Sequence, residues 1–229
     1  MAESDIMQVQ VDVWSDYVCP FCYLERPVLD RIAQEYLERV RIRWRAFELR
    51  PDPVPTLKPD GTYLRDIWAR AVYPMAKERG MSLRLPPVQP RSRLAHEAAH
   101  FAATQGLFDA MNTALFRAFF EDGRDIGDLA VLVEVGESIG LDAGQLRQAL
   151  EDGRHRKRVI ADEELAMKLA ISGVPALLIH HKNEPLEQAT EVSGAQPFEY
   201  VRAVLEDSLA ASLPNCGFHP RAINCSRHR

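Results

Sequence analysis

The chain has 229 residues, of which 46% are hydrophobic, so it can bury a large core in one or two domains. Such a core needs no disulfide scaffold, and four cysteines are too few to build one. Its formal net charge of −5 argues against nucleic acid or a membrane surface as the main partner. No stretch approaches the roughly 20 apolar residues of a membrane span, and the acidic first residues lack the pattern of a secretory signal, so we expect a cytoplasmic protein.

The first predicted elements are a strand, a helix and a second strand. Val9, Val11 and Val13 alternate with other residues and share one face of the first strand. Pro20 stands where a helix begins, a position at which its missing N–H costs nothing. Residues 39–49 form a second alternating run. Together these elements predict a β-α-β unit, whose crossover is right-handed and whose strands are parallel.

A long helical block follows the second strand. Residues 50–61 are rich in proline and typical of a connector, and from Tyr63 to about Ala170 almost every periodic signal is helical. Pro74 is expected to break the first of these helices, because it cannot donate a backbone hydrogen bond. The apolar run of residues 175–180 then predicts a strand, followed by a hairpin partner and a final amphipathic helix.

The motif Cys19-Pro20-Phe21-Cys22 places two thiols about one turn apart at the start of the first helix. The partial positive charge and unpaired N–H groups of the helix N-terminus stabilise a thiolate at Cys19. We therefore expect Cys19 to be the nucleophile and Cys22, which lies one turn inside, to resolve the mixed disulfide. Pro20 stiffens the turn. Phe21 brings no charge between the cysteines, so we expect a less extreme oxidant than a pair with histidine at that place.

Two other interpretations of Cys19 and Cys22 stay open, namely half of a zinc site and a buried, unreactive pair. A lone CxxC motif is only moderately specific. The preceding strand, the proline at the helix start and the surrounding β-α-β unit favour redox chemistry.

Several stretches resemble the DsbA family of thioredoxin-fold proteins and, within it, the FrnE-like branch. They are the run SDYVCPFCY at residues 15–23, the pair Ala95-His96, the run LFRAFFEDGRDIGD at residues 115–128, and Gly173-Val174-Pro175. The resemblance spans nearly the whole chain, although Phe21 stands where another aromatic residue is usual.

The resemblance implies an α/β, thioredoxin-like fold with an inserted all-helical domain. On this interpretation residues 1–55 and 171–212 form the thioredoxin-like domain, and residues 56–170 form the helical insertion. Residues 213–229 remain as a C-terminal tail that contains cysteine and histidine.

The resemblance also assigns a role to Pro175. It implies that Pro175 is cis, faces the cysteine pair and aims the backbone of Val174 at an extended substrate peptide, which could pair with it as an added strand. From the sequence alone, Pro175 could be an ordinary proline at the start of a strand.

Asp16 and two histidines are candidates for supporting roles. Asp16, three residues before Cys19, can cap the start of the helix, accept a proton from the resolving thiol, or remain a loop carboxylate. His96 and His100 lie four residues apart on one helix and could edge a metal site, but no third ligand is suggested nearby, so we favour packing and predict no metal site. His96 could also line the groove above the motif, because the inserted helices cover that site in relatives.

The tail contains Cys216 and Cys225 together with His219 and His228. The two cysteines can form a second redox pair or a structural disulfide. The four side chains can instead bind zinc, although the five-residue gap between His219 and Cys225 is short for a zinc finger. Both thiols can also be unremarkable. FrnE-like relatives vary in the spacing of such cysteines, so the resemblance assigns them no role.

These features predict a thiol–disulfide oxidoreductase or isomerase that acts on protein or small-molecule thiols through Cys19 and Cys22, without metal or organic cofactor and with glutathione as a possible co-substrate. The first alternative is a glutathione-dependent enzyme resembling the 2-hydroxychromene-2-carboxylate isomerases or kappa-class glutathione transferases, which normally carry serine at the first motif position. The second is a non-catalytic binding or chaperone-like module. The physiological substrate, the direction of electron flow, the redox partner and the oligomeric state stay open.

Overall fold

The structure is a computed structural model that describes residues 8–211. Its strands are β1 (Val9–Ser15), β2 (Val40–Ala46), β3 (Ala176–His181) and β4 (Thr190–Ser193). Its helices are α1 (Pro20–Tyr36), α2 (Thr62–Ile67), α3 (Tyr73–Glu78), α4 (Arg93–Thr104), α5 (Phe108–Phe120), α6 (Leu129–Ser138), α7 (Ala143–Glu151), α8 (Arg156–Lys168) and α9 (Phe198–Ala211). None of the helices in this range is both long and apolar enough to cross a membrane.

The described strands form one mixed sheet in the order β2-β1-β3-β4. β1 and β2 are parallel, with Val9 opposite Val40 and Ser15 opposite Ala46. β3 runs antiparallel to both of its neighbours, β1 and β4. The sheet therefore contains the predicted β-α-β unit followed by the predicted hairpin, with α9 as the final helix.

The two faces of the sheet are covered by different helices. Val9, Val11 and Val13 are buried on one face together with side chains of α1 and α9. Trp14 is buried on the other face against α8, where its indole Nε1 donates a hydrogen bond to the carbonyl oxygen of Asp162 at 2.9 Å. Burying one such large side chain stabilises a fold by about 1.5–3 kcal/mol. Because side chains alternate between the two faces of β1, the sequence of the strand determines which apolar side chains each covering helix can bury.

Helices α2–α8 lie between β2 and β3 in the chain, and α2–α7 share a large apolar core. Five large buried side chains of this core come from α5, namely Met111, Leu115, Phe116, Phe119 and Phe120. Cys22, Tyr23 and Leu24 of α1 belong to the same core. The first turn of α1 is therefore packed against the helical block. The cluster contains side chains of α1 as well as side chains of the helical block, so it does not separate the two predicted domains. The predicted limits of the inserted domain, residues 56–170, stay a prediction.

The predicted break at Pro74 is wrong. Helix α2 passes into a wide turn at Trp68–Val72, and α3 continues from Tyr73 with Pro74 in its first turn. The amide of Tyr73 donates to the carbonyl oxygen of Trp68, five residues earlier. This π-type turn places Pro74 at the beginning of a new helical segment, where a missing donor is tolerated.

Candidate active site

The two motif cysteines lie at the junction of β1 and α1. Cys19 has an extended backbone (φ −93°, ψ 114°) and caps α1, with Pro20 in the first helical turn. The amide of Cys22 donates to the carbonyl oxygen of Cys19 at 3.1 Å, and the amide of Cys19 donates to that of Asp16 at 3.0 Å. These bonds hold both cysteines at the N-terminal end of the helix, where unpaired amides favour negative charge.

Both cysteines are buried and carry free thiols, with 4% of Cys19 and 1% of Cys22 exposed. Burial raises the pKa of Cys22, and the hydrogen bond and charge of Cys19 raise it further. Hydrogen bonds from the amide of Asp16, 3.5 Å from the Cys22 sulfur, and from Ser15 lower the same pKa without reversing the shift. Cys22 therefore holds its proton more tightly than an ordinary thiol does.

The peptide bond between Val174 and Pro175 is cis, and Pro175 directly precedes β3. The thiol of Cys19 donates to the carbonyl oxygen of Val174 at 3.5 Å, although the two residues are 155 positions apart in the chain. The prediction of a cis bond at Pro175 is confirmed, and the bond lies beside the cysteine pair. The roles of Val174 and Pro175 in orienting a substrate stay a prediction.

Asp16 is fully buried behind the motif. Its Oδ2 accepts a hydrogen bond from the amide of Leu49 at 2.7 Å, and its Oδ1 accepts one from the amide of Val18 at 3.3 Å. Nε2 of His96, on α4, lies 3.6 Å from Oδ1. The carboxylate thus ties the loop before α1 to the segment after β2. The structure brings Asp16 and His96 together and places the amide of Asp16 3.5 Å from the Cys22 sulfur, while their catalytic roles stay a prediction.

A cavity of about 180 Å³ opens beside Cys19. Pro20 and Phe21 line it together with apolar side chains of α2, the wide turn and α5, namely Leu64, Ile67, Trp68 and Phe120. Among the described lining residues, Arg50 carries the one formal charge. Cys19 therefore lies beside a mainly apolar surface.

Two metal sites were considered from the sequence, one at Cys19 and Cys22 and one at His96 and His100. Within residues 8–211, no group of three or more histidine, cysteine or acidic side chains is placed to hold a metal ion. His100, like His96, faces a carboxylate, since its Nε2 lies 3.6 Å from Oδ2 of Asp162. Cys216 and Cys225 lie outside the described residues, as do the histidines near them. The second redox pair and the zinc alternative in the tail therefore stay predictions.

Sequence reasoning missed Ser15 at the end of β1, whose side chain contributes to lowering the pKa of Cys22. The alternation that turns Val9, Val11 and Val13 toward α1 continues to Ser15, so the pattern itself contained this signal. It also missed Trp68 in the wall of the cavity. No local pattern links that residue to the cysteines, because only the folding of the helical block brings them together.

Comparison with known proteins places this site in a family. Residues 10–206 match the family described as DSBA-like thioredoxin domain, and the chain belongs to that family. The predicted α/β, thioredoxin-like fold with a helical insertion is thereby confirmed. The matching description names the family but no branch within it, so membership of the FrnE-like branch stays a prediction.

Individual proteins of known sequence or structure are similar to this chain over most of its length. The chain is 36% identical to the "Uncharacterized protein YwbO" of Bacillus subtilis (strain 168), over 63% of this chain and 73% of that protein. It is 28% identical to a structure described as probable DsbA oxidoreductase SCO1869 from Streptomyces coelicolor, with a TM-score of 0.74 over 90% of this chain and 92% of that one.

Two less similar structures share the fold. A 2-hydroxychromene-2-carboxylate isomerase is 19% identical, with a TM-score of 0.71 over 88% of this chain and 97% of that one. The cytosolic disulfide reductase DsbM from Pseudomonas aeruginosa, solved with GSH, is 22% identical, with a TM-score of 0.65 over 88% of this chain and 99% of that one. At these identities the similarity shows the fold alone.

Proposed function

We propose that the chain is a thiol–disulfide oxidoreductase in which Cys19 attacks substrate disulfides and Cys22 resolves the mixed disulfide. The observation that supports this most is the pair of free thiols at the N-terminus of α1, one in contact with the carbonyl of a cis prolyl peptide and the other buried with a raised pKa. Such an arrangement separates a reactive sulfur from one that waits in its protonated form.

The proposed exchange has two steps. In the first, the Cys19 thiolate attacks one sulfur of a disulfide, forms a mixed disulfide and releases the other sulfur as a thiolate. In the second, Cys22 loses its proton and attacks the Cys19 sulfur, which breaks the bond to the substrate and leaves a Cys19–Cys22 disulfide. Two electrons thereby pass from the dithiol to the substrate, and the reverse sequence oxidises a substrate dithiol. The dithiol itself supplies the redox chemistry, so the proposal includes no metal or organic cofactor.

Four residues around Cys19 orient the substrate in this proposal, namely Pro20, Phe21, Val174 and Pro175. An extended peptide that pairs with the backbone of Val174 would present its own cysteine close to Cys19, whose sulfur is 3.5 Å from the Val174 carbonyl oxygen. The apolar cavity lined by Pro20 and Phe21 would receive a neighbouring side chain of that peptide or the body of a small thiol.

Substitution of each cysteine tests the proposal. We expect Cys19→Ser to abolish catalysis of insulin disulfide reduction by dithiothreitol, because the attacking sulfur is missing. Cys22→Ser should instead accumulate a mixed disulfide with a substrate peptide, which mass spectrometry detects. Full activity of the Cys19→Ser protein would contradict the proposal, provided that its unfolding midpoint matches that of the wild type.

The proposal extends to a cytoplasmic location and to glutathione as a co-substrate. Its support is the shared fold of DsbM, a protein described as cytosolic and solved with GSH. The reduction potential of the cysteine pair, measured by equilibration with glutathione buffers, distinguishes a reductant near about −270 mV from an oxidant near about −120 mV.

A glutathione-dependent isomerase is the second candidate, because the 2-hydroxychromene-2-carboxylate isomerase structure shares the fold. Such an enzyme needs one activating side chain and no resolving sulfur. The Cys22→Ser protein separates the two candidates, since it should keep an isomerase active while it stops the turnover of disulfide exchange. Retained glutathione-dependent isomerisation in that variant would favour the second candidate.

A further inference from the structure

The cavity beside Cys19 has the size and the lining of a site for one ring. Its volume is about 180 Å³, and an apolar cavity of about 150 Å³ is large enough to bind benzene. Trp68 and Phe120 are buried in its wall, whereas Leu49 and Tyr63, which also line it, keep 38% and 65% of their surface exposed. The cavity therefore has a buried apolar floor and an exposed apolar rim, through which a ring can enter.

The lining favours a small molecule over a peptide. Among the described residues, Val174 contacts Cys19 but is not part of the cavity wall. A ligand that fills the cavity can therefore reach Cys19 without pairing with the Val174 backbone. A peptide backbone drawn into the cavity would also bury its amides against apolar walls, which is unfavourable unless each amide finds a hydrogen bond.

Arg50 is a partly buried arginine in this wall whose side chain has no hydrogen bond or ion pair among residues 8–211. The acidic residues two positions before and after it are both paired with other arginines. Glu48 pairs with Arg93, and Asp52 pairs with Arg91 at 3.1 Å. The guanidinium of Arg50 is thus left to pair with an anion that does not belong to this part of the chain.

The main chain on both sides of the Arg50 side chain is held in place. The amide of Leu49 donates to Oδ2 of Asp16 at 2.7 Å, and the carbonyl oxygen of Arg50 accepts a hydrogen bond from Nη1 of Arg91 at 2.9 Å. Binding therefore does not have to order this loop, and a site that is ordered in advance binds its ligand more tightly.

We propose that the cavity binds the disulfide of a small thiol that has one ring and one carboxylate, and that Arg50 selects this substrate by pairing with the carboxylate. The inference rests on the proposed function, because it names a substrate class for Cys19 and Cys22. A guanidinium donates two parallel hydrogen bonds to a carboxylate. A single unpaired guanidinium also neutralises one negative charge, which a carboxylate carries and a doubly charged phosphate exceeds.

The exchange with such a substrate follows the proposed two steps. The Cys19 thiolate attacks the sulfur attached to the bound ring, and the other half of the substrate leaves as a thiolate. Cys22 then attacks the Cys19 sulfur and releases the bound ring as a second thiolate. The dithiol loses two electrons and two protons. The substrate disulfide takes up the electrons, and the protons pass to the solvent.

Stopped-flow absorbance of the reduced full-length chain with two reagents tests the inference. Dithiobis(nitrobenzoate) and dithiobis(nitrobenzamide) present the same ring, but only the first carries carboxylates. Each second-order rate constant is divided by that of the same reagent with dithiothreitol, which removes the difference in intrinsic reactivity. We expect Arg50→Gln to lower the normalised constant of the carboxylate reagent by about tenfold or more and to leave that of the amide within about twofold, because only the charge-assisted bond is lost.

Arg70→Gln is the matched control. It removes the same charge from the wide turn, where Arg70 is exposed and does not line the cavity. Both normalised constants should stay within about twofold of the wild type, since salt screens an exposed charge.

A competition experiment on the wild type decides the question if Arg50→Gln fails to fold. Nitrobenzoate has no sulfur and cannot react, but it should occupy the cavity and slow the reaction with the amide reagent. Nitrobenzamide at the same concentration should slow it less. Equal inhibition by the two compounds would overturn the role of Arg50.

The remaining outcomes separate this inference from the proposed function. Equal normalised constants for the two reagents in the wild type, or equal losses in Arg50→Gln and Arg70→Gln, overturn the substrate class alone. So does a larger normalised constant for the neutral disulfide of a phenylalanyl-cysteine peptide, because the cavity then receives a peptide side chain. A wild-type chain that reacts with none of these disulfides lacks the exchange itself, and that result overturns the proposed function as well.

Discussion

Two buried clusters, each with an aspartate and a histidine, lie at the middle and at the end of β1 and differ in how completely their polar atoms are paired. At the middle of the strand, Asp12 accepts hydrogen bonds from Gln10, Arg43 and Arg45, and one of its oxygens lies 2.9 Å from Nε2 of His180. At its end, Asp16 accepts two backbone amides, and Nε2 of His96 lies 3.6 Å away without a hydrogen bond.

The difference indicates what each cluster does. A fully paired buried network stabilises one conformation and accepts a further proton only when a hydrogen bond or ion pair is lost. A network that leaves a basic nitrogen unpaired next to a small cavity gives up some stability and keeps an open position for a donor. Real proteins depart from complete pairing mainly at functional sites, and the incomplete cluster here is the one beside Cys22.

The largest expected effect on stability comes from breaking the paired cluster with Asp12→Asn. The side chain of Asp12 is fully buried, and this change leaves the guanidinium groups of Arg43 and Arg45 without the carboxylate that they share. Removing one partner of a buried ion pair costs about 3 kcal/mol or more. We expect a loss of about that size in the free energy of unfolding, measured in urea, with the rate of insulin disulfide reduction unchanged.

Asp30→Asn is the control for Asp12→Asn. Asp30 pairs with Arg26 on the exposed side of α1, where its side chain is 51% exposed. Surface pairs contribute about 0–1 kcal/mol, so this variant should stay close to the wild type. Equal losses in the two variants would show that the Asp12 cluster does not stabilise the sheet.

The acid dependence of stability should be the next largest effect. Burial raises the pKa of Asp12, but its hydrogen bonds, foremost those with Arg43 and His180, outweigh burial and lower that pKa from 3.8 to about 2. A lowered carboxyl pKa stabilises the fold fully above the unfolded value, and this contribution is lost as the pH falls through the folded value.

The shift corresponds to about 2 kcal/mol, since one pKa unit is about 1.4 kcal/mol. Urea titrations of the wild type and Asp12→Asn between neutral pH and about pH 2 would measure it. The gap between the two proteins should narrow by about that amount as the pH falls from 3.8 to about 2. A gap of constant width would mean that Asp12 binds its proton equally well in the folded and unfolded chains.

Asp16→Asn should have a smaller effect on stability and a larger one on the reaction. The amide retains one oxygen for the backbone donors of Leu49 and Val18, so we expect a loss of about 1–2 kcal/mol. The rate of insulin disulfide reduction should fall, because an amide cannot accept a proton from the resolving thiol, as the supporting role predicted for Asp16 requires. An unchanged rate would restrict Asp16 to holding the loop.

The sequence allowed much of this fold to be predicted, because the relevant signals are local. The alternation along β1 and Pro20 at the helix start follow from backbone geometry, and the resemblance supplied the cis bond at Pro175. The wide turn before Pro74 was missed because the residues of a π-type turn have no distinctive pattern. The approach of His96 to Asp16 was not predictable either, since it depends on how α4 packs over the end of β1.

The smallest expected effect is the difference in stability between two histidine variants, one from each cluster. It compares the two clusters most directly, because the same substitution is made in both. His180→Gln removes a contact of 2.9 Å between Nε2 and Asp12, which should cost about 1–2 kcal/mol in the free energy of unfolding. His96→Gln removes a nitrogen that has no hydrogen bond among residues 8–211, so its cost should stay below about 1 kcal/mol. Urea unfolding at neutral pH measures both. If His96→Gln costs as much as His180→Gln, then Nε2 of His96 is engaged in a stabilising bond, and the two clusters do not differ in how completely they are paired.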